Sequence, residues 1–368
     1  MQEVSGWPVD ELGPVAVHFF QLPAGATGIV VLDNLSLGPA IGGVRLTPTV
    51  TAREVARLAR AMTIKNAAAG LSHGGGKSGI RLLAPNTAAR RESVVRAFAQ
   101  AIRHLVDYIP GPDMGTDETA MAWIRDEIGR SVGLPSVLGG IPLDEIGATG
   151  YGVAKCAEAV CAAKRLELAG ARVAVQGFGA VGQHAAVYLA KLGARIVAVS
   201  DVTGAVHDPD GLDLDALAAF KRSGPIADYH GAKPLERDDL LTVDCDILVP
   251  AAQADAVHEG NVDAVRARVI LQGANLPVTA EAEAVLAERG VLSVPDVIAN
   301  AGGVICAAVE HRGGTRAEAF TEIAERITVN TAELLDRLAA EPELLPAEAA
   351  VAMARTRLDA AATYARIF

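Results

Sequence analysis

Residues 171–201 constrain this chain most. ARVAVQ reads as a strand, Gly177-Phe178-Gly179-Ala180-Val181-Gly182 follows directly, QHAAVYLAKLG reads as a helix, and ARIVAVSD reads as a second strand ending at Asp201. A strand, a GxGxxG turn, a helix, a strand and a terminal acid make a βαβ unit that can close only as a right-handed crossover in a parallel sheet. Gly177 permits the tight turn, Gly179 lets a pyrophosphate approach the backbone, and Gly182 packs helix against strand. The amides of Ala180 and Val181 open the helix, where the dipole favours an anion. Asp201 is placed to accept from ribose hydroxyls, and no Lys or Arg follows it in VTGAVHD, which favours NAD over NADP.

Three more strands follow, DILVPAA, RVILQGAN and VLSVPDVIAN. Ligands of open α/β sheets bind at the carboxyl ends of parallel strands, so Ala251, Asn275 and Asn300 are candidate contacts for cofactor or substrate. The stretch from Val304 to Phe368 reads as helical. The fold expected is α/β: an amino-terminal α/β domain over 1–146, a Rossmann-type doubly wound domain over 147–310, and carboxyl-terminal helices over 311–368 packing back across both.

Composition narrows the function. The chain has 368 residues, 51% hydrophobic and 21% charged, enough for two domains with proper cores. A net charge of −11 with no basic stripe argues against nucleic acid. No apolar run is long enough for a membrane span, and the polar, acidic start MQEVSGWPVDELGP does not read as a signal peptide. Four cysteines without ligand spacing read as core residues in a reducing, cytoplasmic compartment, and the histidines give no metal pattern.

The amino-terminal half holds two oddly placed cations in MTIKNAAAGLSHGGGKSGI. Thr51 and Glu54 form a capping box that opens a helix with Val55, Leu58, Met62 and Lys65 on one face. Lys65 on that face needs an anionic partner, or else snorkels at the helix end. Lys77 lies inside the run Gly74, Gly75, Gly76 and Gly79, which reads as a loop of close backbone approach with IRLL leaving as a strand. Gly70 and Gly76 do not have P-loop spacing. LGPAIGGVRL reads as turn-rich, and Asp113 sits in a Pro-Gly-Pro-Asp turn where an Asx-turn or cap role competes with a chemical one.

The segments LGPAIGGVR, MTIKNAAAGLSHGGGKSGI, GPDMGT, VQGFGAVG, QGAN and IANAGGV, in this order over residues 30–310, resemble the glutamate/leucine/phenylalanine/valine dehydrogenase family. The resemblance implies NAD-dependent reversible oxidative deamination of an L-amino acid, with the 2-oxo acid and ammonia as partners. It also implies a site in an interdomain cleft that closes to exclude water, and a homo-oligomer. It gives Lys65 the substrate α-carboxylate, makes Lys77 and Asp113 catalytic, and puts Thr149 and Asn275 near the nicotinamide and the substrate amine. Lys77 would activate water, its proton loosened by desolvation and by the Lys65 cation. Asp113 would move protons at nitrogen.

Glutamate-specific members carry a lysine at the position of Ile41, beside Gly42, and a serine at that of Ala307. Ile41, Val304 and Ala307 therefore predict an apolar pocket and a leucine, valine or phenylalanine type of substrate. A glutamate dehydrogenase whose carboxylate partner is Arg45 or Arg81 is the alternative. A catalytically silent NAD-binding regulator is the remote one.

Overall fold

The computed structural model describes residues 10–83 and 87–364. The reading of residues 1–9 as no signal peptide and the end of the last helical stretch, 365–368, lie outside these. Internal contacts divide the chain into two units. One draws its described residues from 1–142, 307–316 and 354–368, the other from 143–306 and 317–353. The break expected near Gly147 falls between Pro142 and Leu143, and the carboxyl-terminal helices are shared between the units instead of forming a segment of their own.

The first unit contains β1 (Ala16–Gln21), β2 (Thr27–Asn34), β3 (Ala40–Thr47), α1 (Ala52–Ala68), β4 (Gly74–Arg81), α2 (Ala88–Ala101), β5 (Tyr108–Pro112) and α3 (Glu118–Ile128). Its sheet has the order β1-β2-β4-β3-β5, with β3 parallel to both β4 and β5 and the β1–β2 and β2–β4 pairs antiparallel. Side chains alternate across it. Val30 and Leu32 join Phe98, Ile102, Tyr108, Met121 and Ile124 in one cluster, whereas Ile29 and Val31 pack with Val55 and Ala59 of α1 in another. Each large apolar side chain so buried contributes roughly 1.5–3 kcal/mol before entropy is counted.

The two glycine-rich segments expected as turn and loop are β3 and β4, the middle strands of this sheet. Their glycines serve close packing, not turning. A Cβ on Gly42 would lie 1.7 Å from the Gly76 carbonyl oxygen, and one on Gly75 would lie 2.1 Å from the Thr63 nitrogen of α1. That approach also resets the face of α1. Val55, Ala59, Thr63, Asn66, Ala67 and Ala68 are its buried residues, while Leu58, Met62 and Lys65 flank them half-buried. Thr51 caps the helix as expected, accepting from the Glu54 amide at 3.2 Å. The Glu54 carboxylate does not return to the cap but accepts from Arg45 at 2.6 Å.

The second unit contains α4 (Ala148–Lys164), β6 (Arg172–Gln176), α5 (Ala180–Lys191), β7 (Arg195–Asp201), β8 (Gly204–His207), α6 (Leu214–Lys221), β9 (Lys233–Leu235), β10 (Ile247–Pro250), β11 (Val269–Leu271), α7 (Ala280–Glu288), β12 (Leu292–Val294) and α8 (Asp296–Ala299). The chain continues through α9 (Gly302–His311), α10 (Arg316–Ala340) and α11 (Pro346–Ala362). The sheet order is β12-β11-β10-β6-β7-β8-β9, parallel from β12 to β7 and antiparallel at β8 and β9. The chain leaves β6 for β7 on one side and later returns to β10 on the other. This is the Rossmann-type switch point at which such sheets bind ligands. All four cysteines are buried with free thiols. No helix among the described residues is long and apolar enough to cross a membrane.

Candidate functional site

In the first unit, Lys77 on β4 meets Asp113 just beyond β5, and the strand between them, β3, presents Gly43. The Lys77 Nζ lies 3.0 Å from Asp113 Oδ2. A Cβ on Gly43 would lie 2.7 Å from Asp113 Cβ and 2.9 Å from Lys77 Nζ, so only glycine leaves room for the pair. Arg45 donates to the same Asp113 oxygen through Nε at 2.9 Å and to Glu54 through its terminal nitrogen. Thr116 holds the turn: its hydroxyl accepts from the Asp113 amide at 2.9 Å and donates to the Val44 carbonyl at 2.8 Å. Asp113 is therefore both a turn residue and half of a charged pair, and the α3 cap falls to Asp117.

Burial pushes the Lys77 ammonium below the ordinary lysine value. Asp113 pulls it back up and Arg45 pushes it further down. Asp113 is itself held below the usual carboxylate range. Burial alone would raise it, but Lys77 and Arg45 outweigh that. Arg45 is a neighbouring cation of Lys77 beyond the Lys65 that sequence reasoning named. Lys65 stands half-buried near the end of α1, next to Asn66, whose amide donates to the Gly74 carbonyl at 2.7 Å.

Ile41 and Ala307 are brought together in a small apolar cluster with Ile109 and Val132. Ile109 and Val132 were not singled out from sequence. Gly42 contributes its carbonyl to the Tyr108 hydroxyl at 2.8 Å, a sheet brace. Val304 belongs to the second unit and is not part of this cluster. Of the arginines weighed as carboxylate partners, Arg45 is engaged by Asp113 and Glu54, and Arg81 is exposed at the end of β4.

In the second unit, Gly177, Phe178, Gly179, Asp201 and Ala251 line one cavity of about 530 Å³ with Gln176, Ser200, Lys221 and Arg237. The three glycines differ in surroundings. Gly177 has φ +93° and backs onto Ala252, a Cβ on Gly182 would lie 1.8 Å from the Gly177 carbonyl oxygen, and a Cβ on Gly179 would meet nothing within 4 Å. Open space at Gly179, beside the first turn of α5 with Ala180 and Val181, fits a pyrophosphate. The buried Gln176 Oε1 has no hydrogen-bond partner, which fits a ligand that donates to it.

Asp201 ends β7. Its Oδ1 accepts from the Thr203 amide and hydroxyl at 2.8 and 2.6 Å, and its Oδ2 lies 3.3 Å from Lys221 Nζ. Lys221 also donates to the Phe178 carbonyl. The local absence of a cation after Asp201 therefore does not describe the cavity, since α6 supplies one from twenty residues on. Asn300 directs its amide to the Ala274 carbonyl at 2.9 Å and to Asn275 Oδ1 at 3.4 Å, bracing the turn that carries Asn275. Thr149 lies in the first turn of α4, close enough to Gly303 that a Cβ there would sit 3.0 Å from its hydroxyl. Lys221 went unnoticed in the sequence because its partner Asp201 is distant along the chain, Gln176 because nothing marks it within its strand, and Arg45 was weighed only as a carboxylate partner and not as a neighbour of Asp113.

Comparison with known proteins agrees with this architecture. The family described as Glutamate/Leucine/Phenylalanine/Valine dehydrogenase matches residues 139–364, and its dimerisation domain matches residues 16–130. A glutamate dehydrogenase of Aeropyrum pernix is 42% identical over 319 residues, covering 81% of this chain and 76% of that protein. An NADP-specific glutamate dehydrogenase of Saccharolobus shibatae is 40% identical over 291 residues, covering 75% and 69%. The solved structure of a hetero-hexameric glutamate dehydrogenase of Thermus thermophilus, in a leucine-bound form, superposes with a TM-score of 0.85 at 31% identity, covering 96% and 91%. The chain belongs to the glutamate/leucine/phenylalanine/valine dehydrogenase family of amino-acid dehydrogenases.

Proposed function

We propose that this chain catalyses the reversible oxidative deamination of an L-amino acid to its 2-oxo acid and ammonia with NAD. The observation that carries this reading is the pair of buried Lys77 and half-buried Asp113, 3.0 Å apart, with the lysine held below its ordinary pKa. A lysine so depressed reaches its neutral form at lower pH and can take a proton from water attacking the substrate carbon. Asp113 accepts and returns protons at the substrate nitrogen, and Arg45 keeps its carboxylate in place between turns of the cycle. Lys65 holds the α-carboxylate. NAD supplies the hydride acceptor, and Gly179, Gln176 and Asp201 are the residues that fit it. Asp201 at the end of β7 supports NAD. Lys221 and the NADP-specific relative support a test of NADP beside it.

For the side chain, the named relatives are glutamate dehydrogenases, and they favour glutamate as substrate. A second reading, an apolar side chain, rests on the cluster of Ile41, Ile109, Val132 and Ala307. A γ-carboxylate against that wall would be buried without a partner at a cost of several kcal/mol. The hetero-hexameric relative and the family's dimerisation domain over 16–130 support an oligomer.

The test is formation of reduced nicotinamide from a panel of L-amino acids at alkaline pH. Glutamate as best substrate selects the first reading, and leucine, valine or phenylalanine selects the second. Lys77→Ala is expected to keep NAD binding and lose turnover by orders of magnitude. Cofactor binding with no turnover of any amino acid would refute the dehydrogenase and leave the regulator.

A further inference from the structure

Glu310 is a buried carboxylate that the proposed chemistry does not use. It sits near the carboxyl end of α9, one turn after Ala307, and is 7% exposed. Its two oxygens accept from backbone rather than from a cation: Oε1 from the Leu134 amide at 3.0 Å and Oε2 from the Ile141 amide at 2.9 Å. The loop 131–141 is therefore tied at two points to one side chain. Its backbone is already turned inward, with the Val132 amide donating to the Pro110 carbonyl at 2.8 Å.

Two residues of this loop adjoin the residues of the proposed site. Val132 completes the apolar cluster with Ile41, Ile109 and Ala307. Gly133, at φ +72°, lies so close to the Pro112 ring that a Cβ would meet it at 2.5 Å, and Pro112 immediately precedes Asp113. Burying a carboxylate with no paired cation is unfavourable, so this arrangement costs stability that an apolar residue would not. What the carboxylate supplies is two acceptors on one rigid arm, set on the same helix as Ala307.

We infer that Glu310 is a positioning residue for side-chain recognition: it fixes the loop that carries Val132 against Ala307 and so sets the width of the substrate's side-chain wall. This rests on the proposed amino-acid dehydrogenase reaction. Glu310 touches neither substrate nor cofactor in this account and acts through Val132 and Gly133.

The test is Glu310→Gln. Glutamine keeps one acceptor but turns an NH2 donor on the other loop amide, so half of the tie is lost while size is kept. Selectivity is read as the ratio of kcat/KM for the best amino acid to that for its analogue one methylene shorter. We expect this ratio to fall about fivefold or more, through KM for the amino acid, with KM for NAD unchanged. Glu310→Asp, which keeps the charge on a shorter arm, is expected to fall between. Paired with Val132→Ala, the effects on the ratio should be non-additive.

An unchanged ratio, a loss shared equally by NAD, or strict additivity would each overturn the inference. Amide hydrogen exchange on the unmodified protein gives a readout independent of any variant's folding. Leu134 and Ile141 should exchange as slowly as the amides of β5, and fast exchange at both overturns the tie. A wild-type protein that turns over no amino acid refutes the reaction, whereas the exchange measurement still judges the loop.

Discussion

Gly43→Ala tests the geometry of the Lys77–Asp113 pair without touching either charge. The added methyl would stand 2.7 Å from Asp113 Cβ, 2.8 Å from the Pro112 carbonyl oxygen and 2.9 Å from Lys77 Nζ. Unstrained contacts between carbon atoms lie near ~3.5–4.0 Å, so something must yield by roughly 1 Å. Pro112 is fixed in register opposite Val44 by the β3–β5 pairing. Lys77 Nζ is the far end of a flexible side chain and can give, whereas Asp113 Cβ moves only with its backbone, and with either shift the 3.0 Å contact between them opens. Overpacking of this kind costs about 1–3 kcal/mol of stability. A misplacement near 1 Å at a reacting group costs about 10²-fold in rate. The expected outcome is a folded enzyme with a modestly lower Tm and kcat for oxidative deamination down about 10²-fold. NAD binding, followed by nucleotide fluorescence, should not change, since the cavity proposed for the dinucleotide is built from the other unit. A folded Gly43→Ala protein with kcat within about threefold of wild type would refute the reasoning that glycine at this position exists to let the pair meet.

Other outcomes follow from the same contacts. Arg45→Met removes a cation that pushes Lys77 down, so the lysine titrates higher and the alkaline rise of kcat/KM moves to higher pH; a profile that stays put or moves down contradicts that electrostatic assignment. Lys221→Ala releases Asp201 Oδ2, so use of NADP relative to NAD should fall about tenfold, the worth of one charge-assisted hydrogen bond, and an unchanged ratio of kcat/KM for the two cofactors would show that Lys221 does not discriminate between them.

The parts of this protein legible in its sequence are those whose signal is local. The βαβ unit from 171 to 201 could be read because strand period, glycine spacing and terminal acid fall within one stretch, and β6, α5 and β7 lie where that pattern puts them. β3 and β4 could not, because glycine signals a turn and a close approach in the same letters. Only their neighbours, the Gly76 carbonyl against Gly42 and Thr63 against Gly75, tell the two apart. Lys77 and Asp113 were legible as candidates, but what tunes them was not. Arg45 stands 68 residues from Asp113, and Glu310 stands 176 from the Leu134 amide it holds. Such partners carry no periodicity, since their pairing is decided by strand order. The order β4-β3-β5 sets Gly43 between Lys77 and the turn after β5 that carries Asp113. The proposed side-chain pocket follows the same logic. Ile41 and Ala307 are half of an apolar cluster whose other half, Ile109 and Val132, is brought in by β5 and its following loop. If that cluster is the substrate wall we propose, a change of substrate has two routes. One replaces Ile41 or Ala307, which a sequence comparison would notice. The other moves Val132 through the loop that Glu310 ties, leaving every motif residue in place.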